Sequence, residues 1–220
     1  MTNHILRLFT CTYAAGEAAA AFAALNRVLY VVSGSVIVRA AGQAAALDTD
    51  SAWCGSAAPA ITAGKNGARV LRWEVVRNDA AGAAETAATP ASTLTLQHAV
   101  ALDDAGGYLM RCDRVDFPAG GEALTHVHQG PGIRCLLSGA IRIDSEGQSH
   151  SYGPGEAWFE AGPAPVYAAA SREIATGFAR VMILPRACQG KSSIRYVRPE
   201  DADKPKSQKY QIFADELIDL

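Results

Sequence analysis

An internal repeat constrains the fold of this chain more than any other feature. LYVVSGSVIV (29–38) aligns with RCLLSGAIRI (134–143), and SAWCGSAAPAITA (51–63) aligns with EAWFEAGPAPVYA (156–168), both at an offset of 105 residues. The first pair shares a Ser-Gly dipeptide and the second shares Ala-Trp. Two separate matches at one spacing predict two copies of a single domain.

Each copy has the pattern of a β-domain. Short runs of Val, Ile, Leu and Tyr alternate with Gly, Pro, Ser and Asp, as in strands joined by turns. VVSGSVIV and LLSGAIRI each predict two strands joined by a tight turn in which glycine supplies the positive φ. The alanine-rich segment 16–28 favours a helix by propensity, but the repeat places it on a strand. We therefore expect an all-β chain of two tandem jelly-roll barrels.

Composition shifts mark the domain boundaries. Residues 79–93 are small and polar, which predicts a linker between an N-terminal barrel (1–78) and a C-terminal barrel (94–185). The charged segment 186–220 ends in an apolar stretch. We expect it to be a solvated arm that docks its tip on the barrel or on a partner subunit.

Composition also narrows the range of functions. The 220 residues carry a formal net charge of -2, which gives no electrostatic reason to expect nucleic acid or an anionic membrane as a partner. No run approaches the roughly 18 apolar residues of a membrane span. Five scattered cysteines without a Cys-x-x-Cys pair favour a reducing, cytoplasmic location. Apolar β-rich edges predict a homodimer.

The most distinctive chemical feature is a pair of histidines. His126 and His128 stand two residues apart, so on a β-strand their side chains share one face. Such a pair is either part of a metal site or the polar lining of a metal-free pocket. Both alternatives are open at this point.

The segment GEALTHVHQGPGIRCLLSG (121–139) resembles the first sequence motif of the cupin superfamily, which contains a glycine, a His-x-His pair, a glutamate and a closing glycine. YGPGEAWFEAGPAPVYA (152–168) resembles the turn and strand of the second cupin motif. With the internal repeat, this resemblance implies a bicupin. In metal-binding cupins, the two His and the Glu of the first motif and a His of the second hold a divalent ion inside the barrel.

Only half of that ligand set matches here. The family's Glu lies four or five residues after the second His, where this chain has Gly132 or Ile133, and the second-motif His corresponds to Val166. Glu160 is the best candidate for a third ligand with His126 and His128. His98, His150, Tyr167 and Glu173 are weaker candidates.

The first copy has no ligand at any of the four positions. Subtracting 105 gives Ala21, Ala23, Val28 and Ile61, so no metal is expected in the N-terminal barrel. In the C-terminal barrel, the resemblance implies one divalent ion (Fe, Mn, Ni or Zn), provided that a third ligand completes the site.

Two more residues are candidates for contact with a ligand. Arg134 suits bidentate recognition of a carboxylate, although strand alternation from Ile133 would turn it outward. Trp158 recurs in the repeat and is either core or a platform for a ligand. We predict a small-molecule-binding protein with its pocket around His126 and His128. The alternative is a metal-dependent cupin enzyme of the dioxygenase, isomerase or decarboxylase type.

Overall fold

A computed structural model describes residues 2–19, 22–79, 92–103 and 106–220. The chain contacts divide it into two compact units. The first comprises Met1–Gly107 with Ile218–Leu220, and the second comprises Tyr108–Leu217. The described residues form strands and two short 3-10 helices, and no helix among them is long and apolar enough to cross a membrane.

The first unit is built on one sheet. Its strands are β1 (Thr2–Tyr13), β2 (Ala18–Ala19), β3 (Asn26–Ala40), β4 (Gln43–Asp48), β5 (Ser51–Gly55), β6 (Ala60–Arg77) and β7 (Ser92–Leu102). The order is β4-β3-β6-β1-β7, with β2 beside β6 and β5 beside β3. The long strands β3 and β6 pair along most of their length, with two register shifts that let the sheet fold over an apolar core.

The second unit has two five-stranded sheets. Its strands are β8 (Tyr108–Phe117), β9 (Glu122–His128), β10 (Gly132–Ser138), β11 (Ile141–Ser145), β12 (Gln148–Tyr152), β13 (Ala157–Glu160), β14 (Val166–Ala170), β15 (Thr176–Pro185), β16 (Ile194–Tyr196) and β17 (Lys209–Ile218), with 3-10 helices at Arg186–Cys188 and Pro199–Asp201. The sheet orders are β13-β10-β15-β8-β17 and β12-β11-β14-β9-β16. Their apolar faces meet in one core, which is the two-layer arrangement of a jelly roll.

The predicted repeat is confirmed by the strand register. Arg27 pairs with Gly55 between β3 and β5, and Gly132 pairs with Glu160 between β10 and β13. Adding 105 to the first pair gives the second (27 + 105 = 132; 55 + 105 = 160). The glycines of the two predicted Ser-Gly turns have φ values of 78° and 79°, so both copies form the same turn.

The structure differs from the sequence-based boundaries at two places. Residues 94–102 were assigned to the C-terminal barrel, yet β7 pairs with β1 in the first unit. The arm predicted at 186–220 contributes β16 and β17 to the two sheets of the second unit, because its apolar residues extend the edges of β9 and β8. Most of the predicted linker lies outside the described residues, as does Ala21.

Candidate functional site

A small polar cavity lies inside the second barrel. Six of its lining residues are polar: His126, His128, Arg134, Glu160, Arg180 and Tyr210. Apolar side chains, among them Trp158 and Val166, form the rest of the wall. The cavity holds about 20 Å³, which is room for about one water molecule. It can therefore admit a larger guest only if a wall residue moves.

Both histidines point into this cavity from β9, as the sequence predicted. Each is 5% exposed. The Nδ1 of His126 donates a hydrogen bond to the carbonyl oxygen of Leu124 at 2.7 Å, since a carbonyl can only accept. The Nε2 of His126 is therefore unprotonated when the ring is neutral. It accepts a hydrogen bond from the Nε2 of His128 at 3.2 Å.

Glu160, at the end of β13, lies beside His128. Its Oε2 is 2.9 Å from the Nε2 of His128 and 2.8 Å from the Nη2 of Arg134. Its Oε1 accepts a hydrogen bond from the Nε1 of Trp158 at 2.8 Å. The structure thus brings together all the residues singled out in the sequence analysis as the primary site candidates.

Arg134 corrects the expectation drawn from strand alternation. Arg134 lines the cavity and its neighbour Ile133 on β10 does not, so the outward placement was wrong. The Nη1 of Arg134 donates to the carbonyl oxygen of Gly132 at 2.7 Å. A Cβ on Gly132 would lie 2.6 Å from the carbonyl oxygen of Val181. One of the two possible positions of the family's glutamate thus has no room for a side chain, and the guanidinium of Arg134 lies against it.

Several buried polar atoms at the site have no aligned hydrogen-bond partner. They are the Nδ1 of His128, the Nη2 of Arg134 and the Oε2 of Glu160. The arginine and glutamate atoms are close enough to attract each other, but their geometry is poor for a hydrogen bond. A buried polar atom left wholly without a partner costs about 1–3 kcal/mol, and native proteins usually satisfy such atoms with water, an ion or a ligand.

Two functional candidates were missed in the sequence. Arg180 on β15 makes a bidentate ion pair with Asp113 on β8, at 2.6 and 3.0 Å. The ring of Tyr210 on β17 lies 5.6 Å from the Arg180 guanidinium. Arg180 is embedded in the apolar run FARVMILP, which indicates a core strand. A charged residue within such a run was the one feature of the sequence that could have indicated a functional role for Arg180.

Burial and charge shift the ionisation of the site. Burial, followed by the charge of Arg134, lowers the pKa of His128 to about 3. Burial also lowers the pKa of His126. Burial alone would raise the pKa of Glu160, but Arg134 and His128 lower it well below its usual range. At neutral pH, the site therefore contains two neutral imidazoles, an ionised carboxylate and two arginines.

The donor set does not fit a metal cofactor as it is arranged. Catalytic zinc usually takes three protein ligands. Two nitrogens are available here, but the Oε2 of Glu160 lies against the Arg134 guanidinium and its Oε1 accepts a hydrogen bond from Trp158, so a metal ion bound to Oε2 would lie beside a fixed positive charge. Among the described residues, no three His, Cys, Asp or Glu side chains form a metal-binding group. A guanidinium already provides the positive charge beside the carboxylate.

The other candidate ligands lie away from the cavity. His98, His150 and Glu173 are exposed, and Tyr167 hydrogen-bonds to Glu122. Val166 lines the cavity and pairs with His126 across β14 and β9. In the first unit, Leu29 and Gly55 occupy the positions of Arg134 and Glu160 (29 + 105 = 134; 55 + 105 = 160).

Acid is expected to destabilise the protein through His128. Between its folded pKa of about 3 and its unfolded pKa of about 6.5, the unfolded state binds a proton that the folded state does not. The free energy of unfolding should therefore fall as the pH drops through this window. Urea unfolding at about pH 7 and pH 5 measures the loss. A His128→Phe variant should lose less, while His150→Phe, at an exposed position on β12, should behave as wild type. Equal losses in all three proteins would contradict the prediction.

The sequence matches no family model and no curated protein. Solved structures resemble it at low sequence identity. AerE from Microcystis aeruginosa has a TM-score of 0.58 at 12% identity, covering 82% of this chain and 88% of that one. Salicylate 1,2-dioxygenase from Pseudaminobacter salicylatoxidans has a TM-score of 0.58 at 12% identity, covering 86% and 74%. A variant of oxalate decarboxylase from B. subtilis has a TM-score of 0.61 at 14% identity, covering 90% and 73%.

These similarities concern the backbone, since identities of this size leave few side chains in common. The neighbours share the cupin fold, and the two-sheet second unit and the repeated register agree with it. The chain therefore has the cupin fold.

Proposed function

We propose that the second barrel binds a small organic acid, with Arg134 as the group that recognises its carboxylate. The observation that carries this proposal is the set of buried, unaligned polar atoms around the cavity: the Nη2 of Arg134, the Oε2 of Glu160 and the Nδ1 of His128. A small polar guest that moved Glu160 aside would give Arg134 an aligned acceptor.

The remaining cavity residues suit such a guest. A guanidinium binds carboxylates through two parallel hydrogen bonds. The His126 imidazole is neutral and turns its Nε2 inward, so it can accept a hydrogen bond from a hydroxyl group of the guest in place of the one from His128. Trp158 is 3% exposed and packs between Tyr152 and Phe178, with ring centroids 4.9 and 5.2 Å away. It supplies a rigid apolar wall.

The names of two structural neighbours agree with this ligand class. Salicylate and oxalate, the compounds named for the dioxygenase and the decarboxylase, are both small carboxylic acids. Salicylate and oxalate are therefore suitable first probes, and salicylamide is the matched neutral compound.

Calorimetric titration of the intact chain with these probes tests the proposal. We expect an acid to bind and salicylamide not to bind. Arg134→Lys keeps the charge but loses the planar fork, and one charge-assisted hydrogen bond contributes about 1.5–3 kcal/mol, so the affinity should fall about tenfold or more. The control is Arg142→Lys, because Arg142 lies on β11 with its side chain 51% exposed. No binding of either acid, or equal losses in both variants, would contradict the proposal.

Metal content distinguishes this proposal from the metal-dependent alternative. The 3.2 Å between the two Nε2 atoms is the one distance that favours a shared ion, since two nitrogens bound at about 2.1 Å to one tetrahedral metal lie about 3.4 Å apart. If the purified protein held one Fe, Mn, Ni or Zn per chain, and the His126→Ala/His128→Ala variant lost it, a metal-dependent enzyme would replace the organic-acid binder as the better proposal.

A further inference from the structure

One exposed side chain of the C-terminal segment lines the cavity. Tyr210 is 45% exposed and also lines the cavity, whereas Arg134 and the two histidines are each exposed by 5% or less. Because about 20 Å³ admits little more than a water molecule, the proposed ligand requires an opening. A displacement of Tyr210, the exposed residue of the lining, would provide one.

Contacts hold the C-terminal segment on both sides of Tyr210. At one end, β16 pairs with the histidine strand, with Ile194 opposite His128 and Tyr196 opposite His126. At the other end, the Asp215 carboxylate receives two hydrogen bonds from Arg111, at 2.8 and 3.1 Å.

Between these anchors, the Tyr210 side chain has few polar restraints. Its hydroxyl accepts one hydrogen bond, from the Nε2 of Gln208 at 3.1 Å. The Oε1 of Gln208 is itself buried without a partner. Tyr210 also lies near the start of β17, the last strand in the order of its sheet. Edge strands have ladder hydrogen bonds on one side alone, so local opening there is easier than within the sheet.

We infer that Tyr210 is a gate: its ring closes the cavity above Arg180, and displacement of the start of β17 admits the ligand to His126 and Arg134. This inference rests on the proposed function for the identity of the guest, but the gate itself can be tested without a ligand. Tyr196 and Gln208 are its supports, since Tyr196 lies beside His126 with ring centroids 6.3 Å apart and Gln208 holds the hydroxyl of Tyr210.

Chemical modification of the histidines measures whether the gate is closed. Diethyl pyrocarbonate reacts with an unprotonated imidazole nitrogen, and peptide mass spectrometry reports the rate at each histidine. In the wild type, we expect His126 and His128 to react slowly compared with exposed His150. In Tyr210→Ala, the rates at the two buried histidines should rise about tenfold, because the local opening that limits access becomes easier. The His150 rate should stay the same and serves as the internal standard.

Two further variants test whether the change in the histidine reaction rates depends on the Tyr210 ring. Ile212→Ala removes a 54% exposed side chain from the same strand, two residues further on and outside the cavity lining, and should leave all rates unchanged. Gln208→Ala keeps the ring but removes its hydrogen bond, and should give a smaller rise, which also tests the gate if Tyr210→Ala fails to fold. Unchanged His126 and His128 rates in Gln208→Ala and in folded Tyr210→Ala would overturn the gate. If the His126 and His128 rates rise but no organic acid binds, the gate is supported and the proposed function is refuted.

Discussion

Replacing Glu160 with leucine is expected to lower the free energy of unfolding by about 3–5 kcal/mol. The substitution leaves the guanidinium of Arg134, 1% exposed, without the carboxylate that now lies 2.8 Å away. An isolated charge in a protein interior has lost its hydration without gaining a partner. Urea unfolding at neutral pH measures the effect through the transition midpoint.

Two companion variants assign the loss to the buried charge. The double variant Glu160→Leu/Arg134→Met removes both charges, and replacing a whole buried pair with apolar residues is often neutral, so we expect most of the stability to return. Asp144→Leu removes the carboxylate of a surface pair with Arg142, at 3.1 Å, and should have little effect. A double variant as unstable as the single one would show that packing around Glu160, rather than charge, stabilises the site.

Replacing Gly139 with alanine is expected to destabilise the chain by roughly 2–5 kcal/mol. About 1–2 kcal/mol comes from holding an L-residue in the left-handed region, because φ at Gly139 is 79°. Overpacking adds about 1–3 kcal/mol, since a Cβ there would lie 2.6 Å from the carbonyl oxygen of Ala175. Thermal and urea unfolding report the loss.

A second glycine separates these two contributions. Gly147 has a similar φ of 74°, but a Cβ there would meet nothing within 4 Å, so Gly147→Ala should show the conformational cost alone. Gly34→Ala, at the equivalent turn of the first unit, should resemble Gly139→Ala, because its Cβ would collide with the carbonyl oxygen of Gly67. Equal effects of Gly139→Ala and Gly147→Ala would contradict the proposed collision.

The fold was largely predictable from the sequence because the repeat preserves turns and strand register. A Ser-Gly turn with positive φ and an Ala-Trp strand fix the local backbone, and they recur at one offset. The domain boundary was less predictable. Apolar and polar residues alternate at 92–102 in a pattern that suits a strand of either barrel. The pairing with β1 is a long-range contact that no local pattern encodes. The homodimer stays a prediction.

The site was predictable where one strand determines the geometry. His126 and His128 share a face because side chains alternate along β9. The sequence left the direction of Arg134 open, because alternation counted from Ile133 turns it outward, whereas the structure places it in the cavity lining. Tyr210 lies about 80 positions after the histidines, and only strand pairing of the C-terminal segment brings it to them.

Gly132 has a consequence for the history of this barrel. Its α-carbon packs so closely against β15 that a side chain there would meet the backbone at Val181 and the side chain of Met182. If an ancestor carried a glutamate ligand at this position, a single reverse substitution would no longer restore it, because the neighbouring strand now occupies that space. Loss of the ligand would then be irreversible by a single substitution. Later substitutions in this barrel would occur around the Arg134–Glu160 pair and would not restore the ancestral site.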